Sequence, residues 1–346
     1  MVVDDSAVVR GLLTKYVDEQ PDMAMVGRAG NGAAALMELD RVKPDVILLD
    51  VEMPEMDGLT ALPLILRKVP GVRVLMVSGV TRKGASETLK ALSAGATDFL
   101  PKPEGGAVRA EEFGRDLVAK IRAVGRPRQA ANSGARTAPA AAPASGAQRQ
   151  GQPAHVLLIG ASTGGPPVIL DVLSRLGGLR TPVLVTQHMP ATFTTLLAEQ
   201  IARASGRPTA EARDGEAVQA GRIYVAPGGW HMTVSRGVSG APILRLDQGP
   251  AVHWCRPAVD PMITSAAAVY GAAAAAVILT GMGQDGADGC RALARAGGRF
   301  AVQDEESSAV WGMPGAAYAT GMAAAKLSIP EISGWLVGCA EGRHAA

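Results

Sequence analysis

The chain has 346 residues, 47% of them hydrophobic and 19% charged, with a formal net charge of +2. That length fits two domains, each able to bury its own core, and a balance so near neutral excludes the basic field a nucleic-acid partner demands. With aromatics at 3%, base-stacking platforms are excluded as well.

Taken in chain order, apolar runs alternate with helical patterns, which predicts parallel sheets covered by helices. In the first half strands are expected at Val2–Val3, Ala24–Gly27, Val46–Asp50, Val72–Val77 and Asp98–Leu100. Residues 126–153 then hold Ala, Pro, Ser, Gln, Gly and Arg and no large apolar side chain. Such a segment cannot bury enough surface to offset its chain entropy, so a disordered linker is expected. It divides a domain over 1–125 from a second over 154–346. There the clearest strands are Val156–Gly160, Val183–Gln187, Ile223–Ala226 and Ala276–Thr280. The fold class expected is α/β, with two doubly wound parallel-sheet domains.

The stretch from Pro261 to Gln284 carries no charge, but its strongly apolar part, AAAAAVIL, is too short to span about 30 Å of hydrocarbon. A packed helix feeding a buried strand is expected there. Cys255, Cys290 and Cys339 are widely spaced and odd in number, which points to a reducing compartment without a disulfide framework. The first residues show no basic-then-apolar leader pattern, so a cytoplasmic location is expected.

Polar groups collect where the strands end. Asp4 and Asp5 follow the first strand and Asp50 closes VILLD, while Ser78 ends VLMVS and Lys102 follows FLP. In an open parallel sheet the functional groups gather beyond the carboxyl ends of the strands. Three carboxylates there would repel one another unless a cation intervened, and oxygen ligands with open positions suit Mg²⁺. Each aspartate alone could be a turn former or helix cap; five polar groups on one edge are harder to dismiss.

These residues carry a resemblance. VDDS at 3–6, LLDVEMPEMDGL at 48–59, MVSG at 76–79 and FLPKP at 99–103 resemble the receiver domain of two-component response regulators, a flavodoxin-like fold. The resemblance implies that Asp50 accepts a phosphoryl group from a histidine kinase and that Asp4 and Asp5 join Asp50 in holding Mg²⁺. It also implies that Ser78 and Lys102 contact the phosphoryl oxygens and that Phe99 is the switch aromatic. Only Met1, Val2 and Val3 precede the acid pair, so the first strand is expected to be short.

In the second half Ser162 follows VLLIGA, His188 follows VLVTQ and Asp285 follows AAVILTGMGQ. A hydroxyl nucleophile needs a base in reach, and the base needs a carboxylate to fix its tautomer. Gly160-x-Ser162-x-Gly164 has the spacing of a nucleophile elbow, but the α/β-hydrolase order is Ser, Asp, His. Here the order is Ser162, His188, Asp285, so a different fold must carry the same chemistry. A dinucleotide-binding turn is excluded too, since GASTGG lacks the G-x-G-x-x-G register. His253-Trp254-Cys255 has too few neighbouring ligands in the sequence for a zinc site.

IGASTGGP at 159–166, TQHMP at 186–190, YVAPGGWHM at 224–232, RPAVDPM at 256–262 and ILTGMGQDGA at 278–287 resemble the chemotaxis protein-glutamate methylesterases, with a Rossmann-like α/β/α catalytic domain. QDEESSAVWGMPGAA at 303–317 extends that resemblance. It implies hydrolysis of glutamate γ-methyl esters on methyl-accepting chemotaxis receptors, with methanol released and some receptor glutamines deamidated. Ser162 would attack, His188 would take its proton, and Asp285 would orient the imidazolium. The backbone N–H groups of Thr163 and Met282 are candidate oxyanion donors. Mg²⁺ is expected in the receiver and no cofactor in the esterase domain. The partners expected are receptors and a chemotaxis histidine kinase, with no nucleic acid, no membrane insertion and a monomeric chain. In this family the unphosphorylated receiver covers the active site. A phosphorylation-switched transcription factor is the generic alternative for a receiver fusion; it would need a helix-turn-helix or a basic face, and the second half has neither. A binding-only descendant of the esterase is a further alternative.

Overall fold

The computed structural model describes residues 1–79, 81–102, 107–125, 149–150 and 152–344. Most of the expected linker, 126–148 and 151, lies outside the described residues. In the first domain β1 (Val2–Val3), α1 (Ala7–Asp18), β2 (Arg28–Ala29), α2 (Gly32–Val42), β3 (Val46–Asp50), α3 (Gly58–Lys68), β4 (Arg73–Ser78), α4 (Arg82–Ser93), β5 (Asp98–Pro101) and α5 (Ala107–Gly125) alternate. The five strands form one parallel sheet in the order β2-β1-β3-β4-β5. Helix starts are set by side-chain caps. Ser6, Asn31, Asp57 and Thr81 each accept a backbone N–H of the first turn, from Val9, Ala34, Thr60 and Gly84.

One strand differs from expectation. Ala24–Gly27 runs outside the sheet, and pairing begins only at Arg28. Val2 is the first paired residue of β1, and its N–H bonds the carbonyl of Gly27 at 3.0 Å; among the described residues no strand pairs with 24–26.

The second domain contains β6 (Arg149–Gln150), β7 (Val156–Ala161), α6 (Gly165–Ser174), β8 (Val183–Gln187), α7 (Ala191–Ser205), β9 (Thr209–Glu211), β10 (Ile223–Val225), β11 (His231–Arg236) and β12 (Pro242–Asp247). It continues with α8 (Val259–Tyr270), β13 (Ala274–Ile278), α9 (Ala287–Arg295), β14 (Arg299–Gln303), α10 (Gly312–Tyr318), β15 (Ala325–Leu327), α11 (Ile329–Ala340) and β16 (Arg343–His344). A seven-stranded sheet runs β15-β14-β13-β7-β8-β10-β9 with every pairing parallel. The uncharged stretch is, as expected, a helix (α8) feeding a buried strand (β13). The antiparallel pair β11–β12 was not expected from sequence; β6 lies within the stretch expected to be linker and instead pairs with β16, so the second domain begins before 154.

The central strands are sealed on both faces. Val156, Leu157, Leu158 and Ile159 have no exposed surface, with helices to either side, which is why VLLI is continuous rather than alternating. Burying each such side chain contributes roughly 1.5–3 kcal/mol. That core fixes the strand ends against which the polar groups are set.

Candidate functional site

Both sheets put their polar residues at the carboxyl edge. In the first domain β1 delivers Asp4 and Asp5, and β3 delivers Asp50. The ligand atoms of these three carboxylates lie within 4.8 Å of one another. Asp4 and Asp50 are buried and Asp5 is exposed. The Lys102 ammonium bridges the buried pair, 2.7 Å from Asp50 Oδ2 and 2.9 Å from Asp4 Oδ2. Asp50 Oδ1 also accepts the N–H of Val51 at 2.7 Å. Burial raises the Asp50 pKa, and Lys102 offsets only part of that rise. For Lys102, burial lowers the pKa but the two carboxylates outweigh it, so the amine stays charged.

The donor set, three convergent carboxylates with one facing solvent, fits a hard divalent cation such as Mg²⁺. Ser78 sits at the same edge, but its hydroxyl is engaged with Thr88 Oγ1 at 2.6 Å. Phe99 is buried, stacked on Phe193 of α7 with ring centroids 4.3 Å apart.

In the second domain Ala161 of β7 pairs with Gln187 of β8. Ser162 and His188 are the next residues on these adjacent strands, so the register alone makes them neighbours. Asp285 comes from the loop after β13, on the other side of β7. Its Oδ2 lies 2.7 Å from His188 Nε2. The N–H groups of Val259 and Asp260, at the start of α8, donate to the same carboxylate at 2.5 and 3.0 Å. Burial would raise the Asp285 pKa; the imidazole and the two N–H groups reverse this and hold it below its usual value. Burial likewise would lower the pKa of His188. The Asp285 carboxylate and the neighbouring Cys255 thiol outweigh it and raise the value to about 9.

The chain around Ser162 is tightly fitted. Gly164 holds φ at +76°, and a Cβ there would come within 2.5 Å of the Ala309 Cβ. Across the site, a Cβ on Gly281 would meet the Ser162 Cβ at 2.9 Å and the Met313 sulfur at 2.4 Å. The strand end and the Gly281 loop therefore approach closely around the serine. Ser162 is half-buried. Among the described residues nothing hydrogen-bonds its hydroxyl, and the N–H groups of Thr163 and Met282 have no backbone acceptor.

Several supporting residues escaped the sequence reading. Gln187 Nε2 donates to the carbonyls of Ser162 (2.9 Å) and His188 (3.3 Å), tying the two strand-end segments together. Thr280 Oγ1 donates to the Thr163 carbonyl at 2.9 Å and accepts from the Val310 N–H at 3.0 Å. Gln303 Oε1 accepts the Thr280 N–H at 2.8 Å. The available signal was position: each is a polar residue ending, or just past, an apolar strand. Cys255 is the second neighbour of the His188 ring. His253 lies with its Nε2 3.2 Å from Asp260 Oδ2 and clusters with Asp288.

The domains meet beside this site. Besides the Phe99–Phe193 stack, Arg82 of α4 pairs with Glu199 of α7 at 3.0 Å. Val310, bonded to Gly281 and Thr280, packs against apolar residues of the first domain's core. Contacts thus bracket the site on the His188 side and on the Gly281 side.

Fold and site together define a class: a receiver domain joined to an α/β domain that carries a Ser/His/Asp set at its sheet edge. The comparisons with known proteins make the family explicit. The response regulator receiver domain model matches residues 1–109 and the CheB methylesterase model matches 157–336. The protein-glutamate methylesterase/protein-glutamine glutaminase 1 of Paramagnetospirillum magneticum is 46% identical, over 99% of this chain and 96% of its own. A namesake from Rhodopseudomonas palustris is 46% identical over 97% of this chain and 92% of its own. The crystal structure of the Thermotoga maritima CheB methylesterase catalytic domain superposes with a TM-score of 0.51 at 35% identity, covering 53% of this chain and 97% of that one. The chain belongs to the CheB methylesterase family, with an N-terminal receiver domain. No helix among the described residues is long and apolar enough to cross a membrane.

Proposed function

We propose that this chain hydrolyses glutamate γ-methyl esters on methyl-accepting chemotaxis receptors, releasing methanol, and deamidates receptor glutamines, under control of phosphorylation at Asp50. The observation that carries the reading is the His188 Nε2–Asp285 Oδ2 pair at 2.7 Å, set on the strand adjacent to Ser162. With Nε2 committed to the carboxylate, Nδ1 is the ring nitrogen left to take the serine proton. Ser162 attacks the ester carbonyl, His188 accepts its proton and passes it to the departing methoxide, and water then cleaves the acyl-enzyme by the same route. The free N–H groups of Thr163 and Met282 are the proposed oxyanion donors, each worth about 10²–10³ in rate.

In the receiver, Asp4, Asp5 and Asp50 would hold Mg²⁺, which offsets phosphoryl charge when bound. Phosphorylation adds nearly two negative charges at a buried residue already paired with Lys102. Redistribution of Lys102 and Ser78 toward that charge would strain the packing of Phe99 on Phe193 and so loosen the domain contact. The phosphodonor proposed is a chemotaxis histidine kinase.

The test is methanol release from methylated receptor membranes, with and without a small-molecule phosphodonor. Release that rises with phosphodonor and vanishes in Ser162→Ala is expected. Equal release by Ser162→Ala would overturn the reading.

A further inference from the structure

The segment before α8 makes an unusual turn. Val252 and Cys255 exchange both backbone hydrogen bonds, at 3.1 and 2.9 Å, so His253 and Trp254 form a two-residue hairpin loop. Both are left-handed, with φ of 50° and 65°. This turn type favours Asn-Gly, and bulky residues at positive φ are strained. The strain is held by several ties. His253 bonds Asp260, whose own N–H bonds Asp285. Arg256 donates to the carbonyls of Gln248 and Gly249 and accepts the N–H of Gly229.

What the turn achieves is display. Trp254 is 96% exposed, while Trp230 is 39% exposed. An indole held in water forgoes a large apolar burial. Yet Trp254 is bonded directly to Cys255, the residue beside the His188 ring. Consecutive Cα atoms lie about 3.8 Å apart, so this indole is rooted one residue from a neighbour of the His188 ring.

We propose that Trp254 is a docking residue for the substrate protein, its indole packing on an apolar surface of the receptor beside the glutamate that carries the ester. The inference rests on the receptor-esterase reading above and assigns Trp254 a role in affinity rather than in bond making. Trp254 is exposed while Phe99 and Arg82 hold the receiver in place, so docking through it precedes activation and does not depend on phosphorylation.

The experiment uses the full chain with methylated receptor membranes. Trp254→Ala should raise KM for receptor at least about tenfold with kcat changed less than twofold, and Trp254→Phe should recover most of the loss. Val238→Ala, which trims an equally exposed apolar residue between β11 and β12, should leave KM unchanged. In the Ser162→Ala background, sedimentation with receptor membranes should be lost on adding Trp254→Ala and should be the same with or without phosphodonor. Unchanged KM and sedimentation in Trp254→Ala would overturn the proposal. So would a fall in kcat at constant KM, which would make the turn a support for His188. If wild type releases no methanol from any receptor, the ester reading fails, and sedimentation still decides whether Trp254 docks the receptor.

Discussion

At the receiver edge Lys102 already joins Asp4 to Asp50, whereas at the C-terminal edge the His188 ring is joined to Asp285 and, among the described residues, nothing bonds the Ser162 hydroxyl. Both edges are built alike, from apolar parallel strands that end in polar residues. The difference lies in charge. Buried carboxylates cannot be left uncompensated, so the ammonium is drawn in and closes the set. A neutral hydroxyl exerts no comparable pull, and its approach to the imidazole is set by how the surrounding loops are held. Those loops are the ones the receiver touches, through Val310 near Gly281 and through Phe193 on the helix after His188.

The sharpest way to break this comparison is to remove one site and watch the other. Ser162→Ala should cut methanol release by about 10⁴-fold or more while Asp50 still takes a phosphoryl group from a small-molecule donor. Loss of phosphorylation in that variant, read by phosphate-affinity electrophoresis, would mean the two edges are not separate. Asp285→Asn should cost about 10⁴-fold, because the amide cannot stabilise the imidazolium. A loss under tenfold would remove Asp285 from the proposed set.

A change of pH tests the joined pair next. With its pKa raised to about 9, His188 is protonated at neutral pH and cannot accept the serine proton. Activity should therefore climb as pH rises through about 9, roughly 100-fold from pH 7 upward. Folding stability should move the other way. A histidine raised above its unfolded value of about 6.5 contributes stability fully below that value and loses it as pH passes through 9. A kcat/KM profile already flat above pH 7 would contradict the proposed environment.

How much of this was legible beforehand differs between the edges for a physical reason. Asp4, Asp5, Asp50 and Lys102 lie directly at strand ends, where chain order fixes spatial order. Ser162 and His188 were legible in the same way, as residues following paired Ala161 and Gln187. The N–H groups of Val259 and Asp260 that hold Asp285 were not, since their role depends on how α8 docks. Nor was the pairing of Ser78 with Thr88, because a hydroxyl rotates to whichever partner packing supplies. Ala24–Gly27 misled for a related reason. Its apolar pattern is strand-like, but a strand needs a neighbour, and among the described residues none pairs with it.

The contact between the edges is open to smaller changes. Phe99→Ala removes the stack on Phe193, an interaction worth about 0.5–1.5 kcal/mol beyond its buried area. If that stack helps hold the receiver over the site, methanol release without phosphodonor should rise several-fold, and the further gain on phosphorylation should shrink. Lower unstimulated activity would show that the stack supports α7 and His188 instead of restraining them.

The smallest effect is expected at Arg82 and Glu199. Their 3.0 Å ion pair lies at the rim, with side chains 75% and 42% exposed, so solvent and salt screen it. Such pairs contribute roughly 0.2–1 kcal/mol, and Arg82→Ala should raise unstimulated release by less than about fivefold. The gain should fade as ionic strength rises, because salt already weakens the pair in the parent chain, whereas the Phe99→Ala gain should persist. Salt sensitivity thus separates the two contacts, measured as the variant-to-parent ratio across a salt series. A ratio for Arg82→Ala that is large and independent of salt would mean that α4 is held to α7 by more than this pair.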